Sequence, residues 1–342
     1  MGQIPHFANE GVNVFRLGFS WMYMQPELRG PLNESYFALN DKYVQKCIEQ
    51  GAHVIIDPHD YARRDGDIVG QSKVTDEDFA DFWTKLAGRY ANESKFIYSI
   101  TKEPHELNIN RWAETAQKIV HSIRKVAPLN QPILIPGDNF TSLYQFPKWV
   151  HAMKNVSNPD GSFDNLIFDI HGYMDPTWSG LLPNCTHDLQ KEIKAVQQTL
   201  ADLNRTAFLT EIGGGNNEGC AIMLNDFLKT FSKYPDQFVG FTIWSAGAFQ
   251  PSFPVQVTPV GEVDSLLWEK GVRPYLQKEN SASSNSTLSE PKVAANHTET
   301  LPKPNHTETE PKQSHGVEKR GYPISRSIGS QSKIVNTVKI PN

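Results

Sequence analysis

The chain is poor in cysteine: three in 342 residues are too few for a disulfide scaffold, so the fold must rest on an apolar core. It holds no apolar run long enough for a membrane-spanning helix. Nor has it an excess of basic charge. The net charge is −5, which argues against nucleic acid as a partner. Also missing is a secretory leader, since Met1-Gly2-Gln3-Ile4-Pro5 has neither a charged n-region nor an apolar h-region. What is present is 38% apolar residues, with seven Trp, eleven Tyr and eighteen Phe. That suffices for one large or two small soluble domains, and aromatics of this abundance serve both barrel cores and sugar-stacking platforms.

Asparagine supplies a mark of compartment. Asn-x-Ser/Thr acceptors occur at Asn33, Asn92, Asn139, Asn155, Asn184, Asn204, Asn285, Asn296 and Asn305, which points to a secreted, extracellular glycoprotein. Cys185 and Cys220 flank one functional segment and could pair, leaving Cys47 as a small buried hydrophobe. With no leader before it, His6–Glu10 reads as the end of a helix, so the expectation is an N-terminally incomplete chain.

Strand-like runs at Val12–Phe19, Ala52–His59, Phe96–Pro104, Pro132–Gly137, Leu166–Tyr173, Ala207–Gly214 and Phe238–Gly247 alternate with helical stretches. The helices fall near Asn40–Gln50, Asp76–Tyr90, Asn110–Ala127, His187–Asn204 and Asn217–Lys233, and Thr75 with three acidic residues after it suits a helix start. Alternation at this spacing implies parallel βαβ units, and runs such as Val54-Ile55-Ile56 fit strands covered on both faces. The count is seven strands, one short of a (β/α)8 barrel, with the first expected to precede Met1. Residues 1–278 are read as this barrel domain. Residues 279–342 are rich in Ser, Asn, Thr, Pro, Lys and Glu and are expected to be disordered. They carry a nine-residue repeat over 296–313, Asn-His-Thr-Glu-Thr-Leu-Pro-Lys-Pro followed by Asn-His-Thr-Glu-Thr-Glu-Pro-Lys-Gln. Lys319-Arg320 downstream is a candidate dibasic protease site.

Two strand ends carry carboxylates: Glu103 in Thr101-Lys102-Glu103-Pro104-His105, and Glu211 in Thr210-Glu211-Ile212-Gly213-Gly214-Gly215. In an α/β barrel that end is the active-site face. Two carboxylates held there meet the need of glycoside hydrolysis for one group that protonates the leaving oxygen and another that attacks or activates water.

These segments, with Phe15-Arg16-Leu17, Asp57-Pro58-His59-Asp60-Tyr61-Ala62-Arg63, Phe168-Asp169-Ile170-His171-Gly172-Tyr173 and Trp244-Ser245-Ala246-Gly247-Ala248-Phe249, resemble a fungal endo-β-1,4-glucanase of glycoside hydrolase family 5 over about residues 5 to 260. The resemblance implies a (β/α)8 TIM barrel and a retaining hydrolysis of internal β-1,4-glucosidic bonds in cellulose or related β-glucans. It implies Glu103 as acid/base and Glu211 as nucleophile. Arg16, His59, Tyr61, Lys102, His171 and Tyr173 would line the substrate site, and Trp244 would be the platform for a glucose ring. The bridge Cys185–Cys220 is implied as well. No metal and no other cofactor is implied, and the histidines at the strand ends show no regular ligand spacing. The expected partner is the polysaccharide alone, bound by a monomer.

Departures from the family pattern carry their own expectations. Lys102 stands where the family has an Asn that bonds the sugar 2-hydroxyl, and a cation beside Glu103 favours its carboxylate form, against proton donation. Gly172 replaces a lysine, Arg64 a tryptophan, and Val54 the cysteine that would pair with Cys47. The alternatives kept open are a barrel that binds β-glucan with impaired turnover, and a related mannanase or β-1,3-glucanase.

Overall fold

The computed structural model describes residues 2–249, 252–276 and the backbone of 333–338. Seven parallel strands form most of a barrel: β1 (Val14–Phe19), β2 (His53–Pro58), β3 (Phe96–Ser99), β4 (Ile133–Pro136), β5 (Leu166–Tyr173), β6 (Ala207–Gly213) and β7 (Phe238–Ile243). Each pairs with the next in sequence, so the active-site ends of all seven lie on one rim. The eighth place is taken by β8 (Lys333–Val338), which runs antiparallel between β1 and β7 and closes the ring. Six residues expected to be disordered are therefore a strand. Their sequence, Lys-Ile-Val-Asn-Thr-Val, is mostly β-branched and suits a pleated surface. The rest of the 279–342 tail, including the repeat and Lys319-Arg320, lies outside the described residues.

The helices that cover the ring start where short polar side chains satisfy free backbone N–H groups. Asn33, Thr75, Asn108 and Asn217 each accept such a bond at the head of Glu34–Glu49, Asp76–Arg89, Ile109–Arg124 and Glu218–Phe231. Thr75 and Asp78 complete a reciprocal capping box. A shorter helix, Phe146–Met153, and Gln190–Leu203 fill the remaining positions.

Strands of such a barrel are buried on both faces, and β1, β5 and β6 are buried at every residue. One face packs under the helices in the main core. The other fills the ring in layers, because side chains two apart share a face. Val14, Ile55, Ile97, Leu134, Ile167 and Phe208, one from each of the first six strands, form a separate apolar floor. Two residues further along those strands stand Arg16, Asp57, Ser99, Asp169 and Thr210, all buried. The barrel thus changes from apolar to ionic within one layer, just below the rim where Glu103 and Glu211 lie.

Candidate active site

Arg16 organises that polar layer. Fully buried, it donates from Nη1 to Glu211 Oε1 at 2.5 Å and from Nη2 to Asp57 Oδ2 at 2.7 Å. Burial alone would depress its charge, but the two carboxylates outweigh that and hold it above its ordinary value. Asp57 is fixed further by Ser99 Oγ at 3.2 Å and by His59 Nδ1 at 2.9 Å. Gly18 makes room for that histidine, since a Cβ there would meet His59 Nδ1 at 2.9 Å. Burial, then the nearby Lys102, push His59 down to about 4, so its ring is neutral at ordinary pH.

Glu211 is buried and accepts from Arg16 on one oxygen and from the Tyr173 hydroxyl on the other. Burial opposes its charge, yet His171, Lys102 and Arg16 together hold it well below the usual carboxylate range. Burial and the facing Glu211 raise Tyr173 well above its ordinary value, which keeps it a donor. Glu103 faces a different set of partners. Its Oε1 lies 2.7 Å from His171 Nδ1, and its backbone takes φ 43°, a left-handed conformation that non-glycine residues adopt at some energetic cost. Glu103, His171 and Glu211 present atoms all within 4.8 Å of one another.

Lys102 lies inside this group. Its Nζ is 3.4 Å from Glu103 Oε2 and 3.6 Å from Glu211 Oε1, and it sits 4.6 Å from the Trp244 ring centroid and 5.2 Å from that of Tyr61. Burial works against its charge, and the two glutamates more than offset this, raising it above its ordinary value. The ammonium therefore bridges the two glutamates on the oxygens that His171 does not face. A second acidic cluster, His6, Glu10 and Asp264, is likewise neutralised from within by Arg273. Trp244 is 7% exposed and stacks on His59 with centroids 5.5 Å apart.

All the residues singled out from the sequence for this site therefore converge: Arg16, His59, Tyr61, Lys102, Glu103, His171, Tyr173, Glu211 and Trp244. Others drawn from the departures do not. Arg64 turns away, donating to the carbonyls of Gln25 and Pro26 and lying 5.0 Å over Trp21. Gly172 is enclosed, because a Cβ there would meet Leu143 Cδ2 at 2.1 Å. Cys185 and Cys220 are joined, Cα atoms 5.3 Å apart, while Cys47 is buried and free among the described residues.

Sequence reasoning gave no role to Asp57, Ser99, Asp169 and Thr210. The signal was available: Asp57 and Asp169 stand two residues before His59 and His171 and so share their face. Thr210 needed more. β6 carries one extra residue against both neighbours, since Ile170 and His171 of β5 face Leu209 and Glu211, and Phe241 and Ile243 of β7 face Leu209 and Ile212. A bulge re-aims side chains. Here it lets the consecutive Thr210 and Glu211 both engage the barrel interior, where regular pleating would have sent them to opposite faces.

A closed α/β barrel with two carboxylates braced over an ionic layer at the strand ends defines the class, a barrel glycoside hydrolase. Residues 3–249 match the family model described as cellulase (glycosyl hydrolase family 5), and the chain belongs to that family. It is 36% identical to endoglucanase 1 of Saitozyma flava over 278 residues, spanning 80% of this chain and 82% of that protein. Among solved structures, Cel5A (EG2) of Hypocrea jecorina superposes with a TM-score of 0.77 at 36% identity, covering 79% of this chain and 84% of that one. XacCel5A in complex with cellopentaose superposes with a TM-score of 0.75 at 30% identity, covering 81% and 89%.

Proposed function

We propose that this family 5 endoglucanase hydrolyses internal β-1,4-glucosidic bonds with retention, Glu103 serving as acid/base and Glu211 as nucleophile. The observation that carries the reading is the unequal bracing of the two carboxylates. Glu211 accepts from Arg16 and Tyr173 and is held ionised, as an attacking group must be. Glu103 instead meets an imidazole nitrogen that can share a proton with it. Both carboxylates also reach the same two side chains, Lys102 Nζ at 3.4 and 3.6 Å and His171 Nδ1 at 2.7 and 3.5 Å, so they flank one narrow cleft, as a retaining pair must.

In the first step Glu211 attacks the anomeric carbon. The glycosidic bond breaks, and its oxygen takes the proton from Glu103, leaving a glycosyl ester and a free sugar end. In the second, the Glu103 carboxylate removes a proton from water, whose oxygen attacks the same carbon and releases Glu211. Arg16 and Tyr173 restrain the nucleophile through both steps.

Lys102 supports a second reading, a β-glucan-binding barrel slow in turnover. Its ammonium lies between the two glutamates and against the Trp244 ring, the expected sugar platform. A sugar stacking there must displace it. The test is hydrolysis of carboxymethyl-cellulose by the parent, Glu211→Gln and Lys102→Asn. Slow hydrolysis by the parent, none by Glu211→Gln, and at least ~10-fold faster hydrolysis by Lys102→Asn are expected, since bonds to the sugar 2-hydroxyl strengthen in the transition state. Folded protein silent in both parent and Lys102→Asn would leave the binding reading.

The same reading includes secretion as a glycoprotein. All six sequon asparagines among the described residues are exposed, and the Cys185–Cys220 bridge suits an oxidising compartment. Intact mass before and after endoglycosidase treatment of protein secreted by a fungal host tests it; an unchanged mass counts against it.

A further inference from the structure

We propose that Asp169 is a positioning residue which, through Thr210, fixes the tautomer of His171 so that its Nδ1 accepts the proton carried by Glu103. The inference rests on the reading of Glu103 as proton donor and deepens it. Asp169 is fully buried on the polar layer, and the Thr210 hydroxyl donates to its Oδ1. Its Oδ2 has no hydrogen-bond partner among the described residues. A hydroxyl has one hydrogen. Once it is given to Asp169, the Thr210 oxygen can only accept from His171 Nε2, 2.8 Å away. One imidazole proton is thereby placed on Nε2, and Nδ1 is left to share a further proton with Glu103 Oε1 at 2.7 Å, which the facing carboxylates favour. A lone pair and a carboxylate oxygen at that distance need one proton between them, and it is retained where the leaving oxygen can take it.

Thr210 faces the barrel interior two residues after the floor residue Phe208, and the bulge in β6 brings Glu211 in beside it. The other charged or titratable groups facing the relay do not intercept it. Lys102 meets Glu103 at its second oxygen. Glu211 lies 3.5 Å from His171 Nδ1. Arg16 and Asp57 act on Asp169 through space, as Glu103 does on Tyr173 and Tyr61. The contact of His171 Nε2 with Asp169 itself is 3.8 Å, too long for a direct hydrogen bond.

Asp169→Asn can reverse the polarity. An amide N–H pointed at Thr210 frees the hydroxyl hydrogen to face Nε2, and the imidazole proton moves to Nδ1. That N–H then satisfies the Glu103 carboxylate with no transferable proton. Thr210→Val removes the acceptor for Nε2–H while keeping the Asp169 charge, so it separates the relay from a plain charge effect.

The experiment compares the parent, Asp169→Asn and Thr210→Val on cellopentaose, whose leaving group needs a proton, and on 2,4-dinitrophenyl β-cellobioside, whose leaving group does not. Both variants are expected to lose about 10²-fold or more in kcat/KM on cellopentaose. They should stay within a few-fold of the parent in the burst of dinitrophenolate, and the basic limb of their pH–rate profile should move to lower pH. Equal losses on both substrates, or an unmoved limb, overturn the proposal. Ring ¹⁵N shifts of His171 decide it independently of turnover, with Nε2–H expected in the parent and Nδ1–H in Asp169→Asn; the same tautomer in both overturns it. A parent that turns over neither substrate overturns the glucanase reading instead, and the nitrogen spectrum still judges the relay.

Discussion

Two buried carboxylates share one guanidinium at Arg16, and this arrangement ties stability to pH. Asp57, like Glu211, is held below its ordinary value. Burial opposes the charge, and Arg16 and His59 outweigh it. A carboxylate whose folded pKa is depressed contributes stability that is fully present above its unfolded value, about 3.9 for Asp and 4.3 for Glu. That stability is lost as pH falls through the folded value. Melting temperature should therefore fall steeply below about pH 4. Asp169 and Asp60, pushed up to about 6 chiefly by burial, work in the other sense. Their stability is present below their unfolded values and lost as pH rises through about 6. His59, pushed down to about 4, opposes them, because it costs stability as pH falls from its unfolded value. The profile from neutrality to about pH 5 should thus be shallow. Arg16→Met leaves both partners as uncompensated buried charges and should cost about 3–5 kcal/mol in urea unfolding near neutral pH. It should also flatten the loss on the acid side, chiefly through Asp57, because Arg16 is the largest influence lowering Asp57 while Glu211 keeps His171 and Lys102; an unchanged acid slope in this variant would contradict the assignment.

At the scale of elements, some parts were legible in the sequence because they depend on local chemistry. The Thr75 cap was legible from Thr-Asp-Glu-Asp alone, and Leu166–Tyr173 from an apolar run broken by Asp169 and ending in histidine, glycine and tyrosine. Phe96–Pro104 was read too long: the regular strand ends at Ser99, after which Ile100 and Lys102 each give one N–H to a neighbouring strand, at Leu134 and Pro58, before Glu103 takes a left-handed conformation. The bulge in β6 was not legible, because an extra residue exists only relative to the strands beside it. Helix Phe146–Met153 was passed over, its proline at the first turn being tolerated there and disruptive further in. The Cys185–Cys220 bridge ties the loop after β5 to the helix after β6, and a Cβ at Gly214 would meet Cys185 Sγ at 2.6 Å. It closes a loop with a sequence separation of 35. Replacing both cysteines by serine should lower stability by about 3–4 kcal/mol on the loop-entropy account. Denaturant midpoints under oxidising and reducing conditions check this, and parent and variant should converge when reduced.

For the molecule as a whole, the least legible feature was the strand that closes the ring. Averaged over residues 279–342 the composition is polar, and the average concealed Lys333–Val338. Disorder is argued from composition over a window, whereas a strand needs only six residues and two open edges. β1 and β7 supply those edges, and β8 satisfies both. An unpaired edge is a template for association, so the ring is protected only while β8 stays in place. Its tie to the barrel passes through Lys319-Arg320, the candidate dibasic site. Cleavage after Arg320 would turn an intramolecular strand into a bound peptide, removing the effective concentration its tether provides. The cleaved protein should then melt at a temperature that rises with protein concentration, as for any complex whose partner binds only the folded state. The uncut chain should melt independently of concentration. Dilution of the cut form should expose the β1 and β7 edges and bring aggregation, which light scattering would detect, and added peptide 321–342 should reverse it. A cut protein that melts like the parent at every dilution would mean that seven strands hold the barrel closed without the eighth.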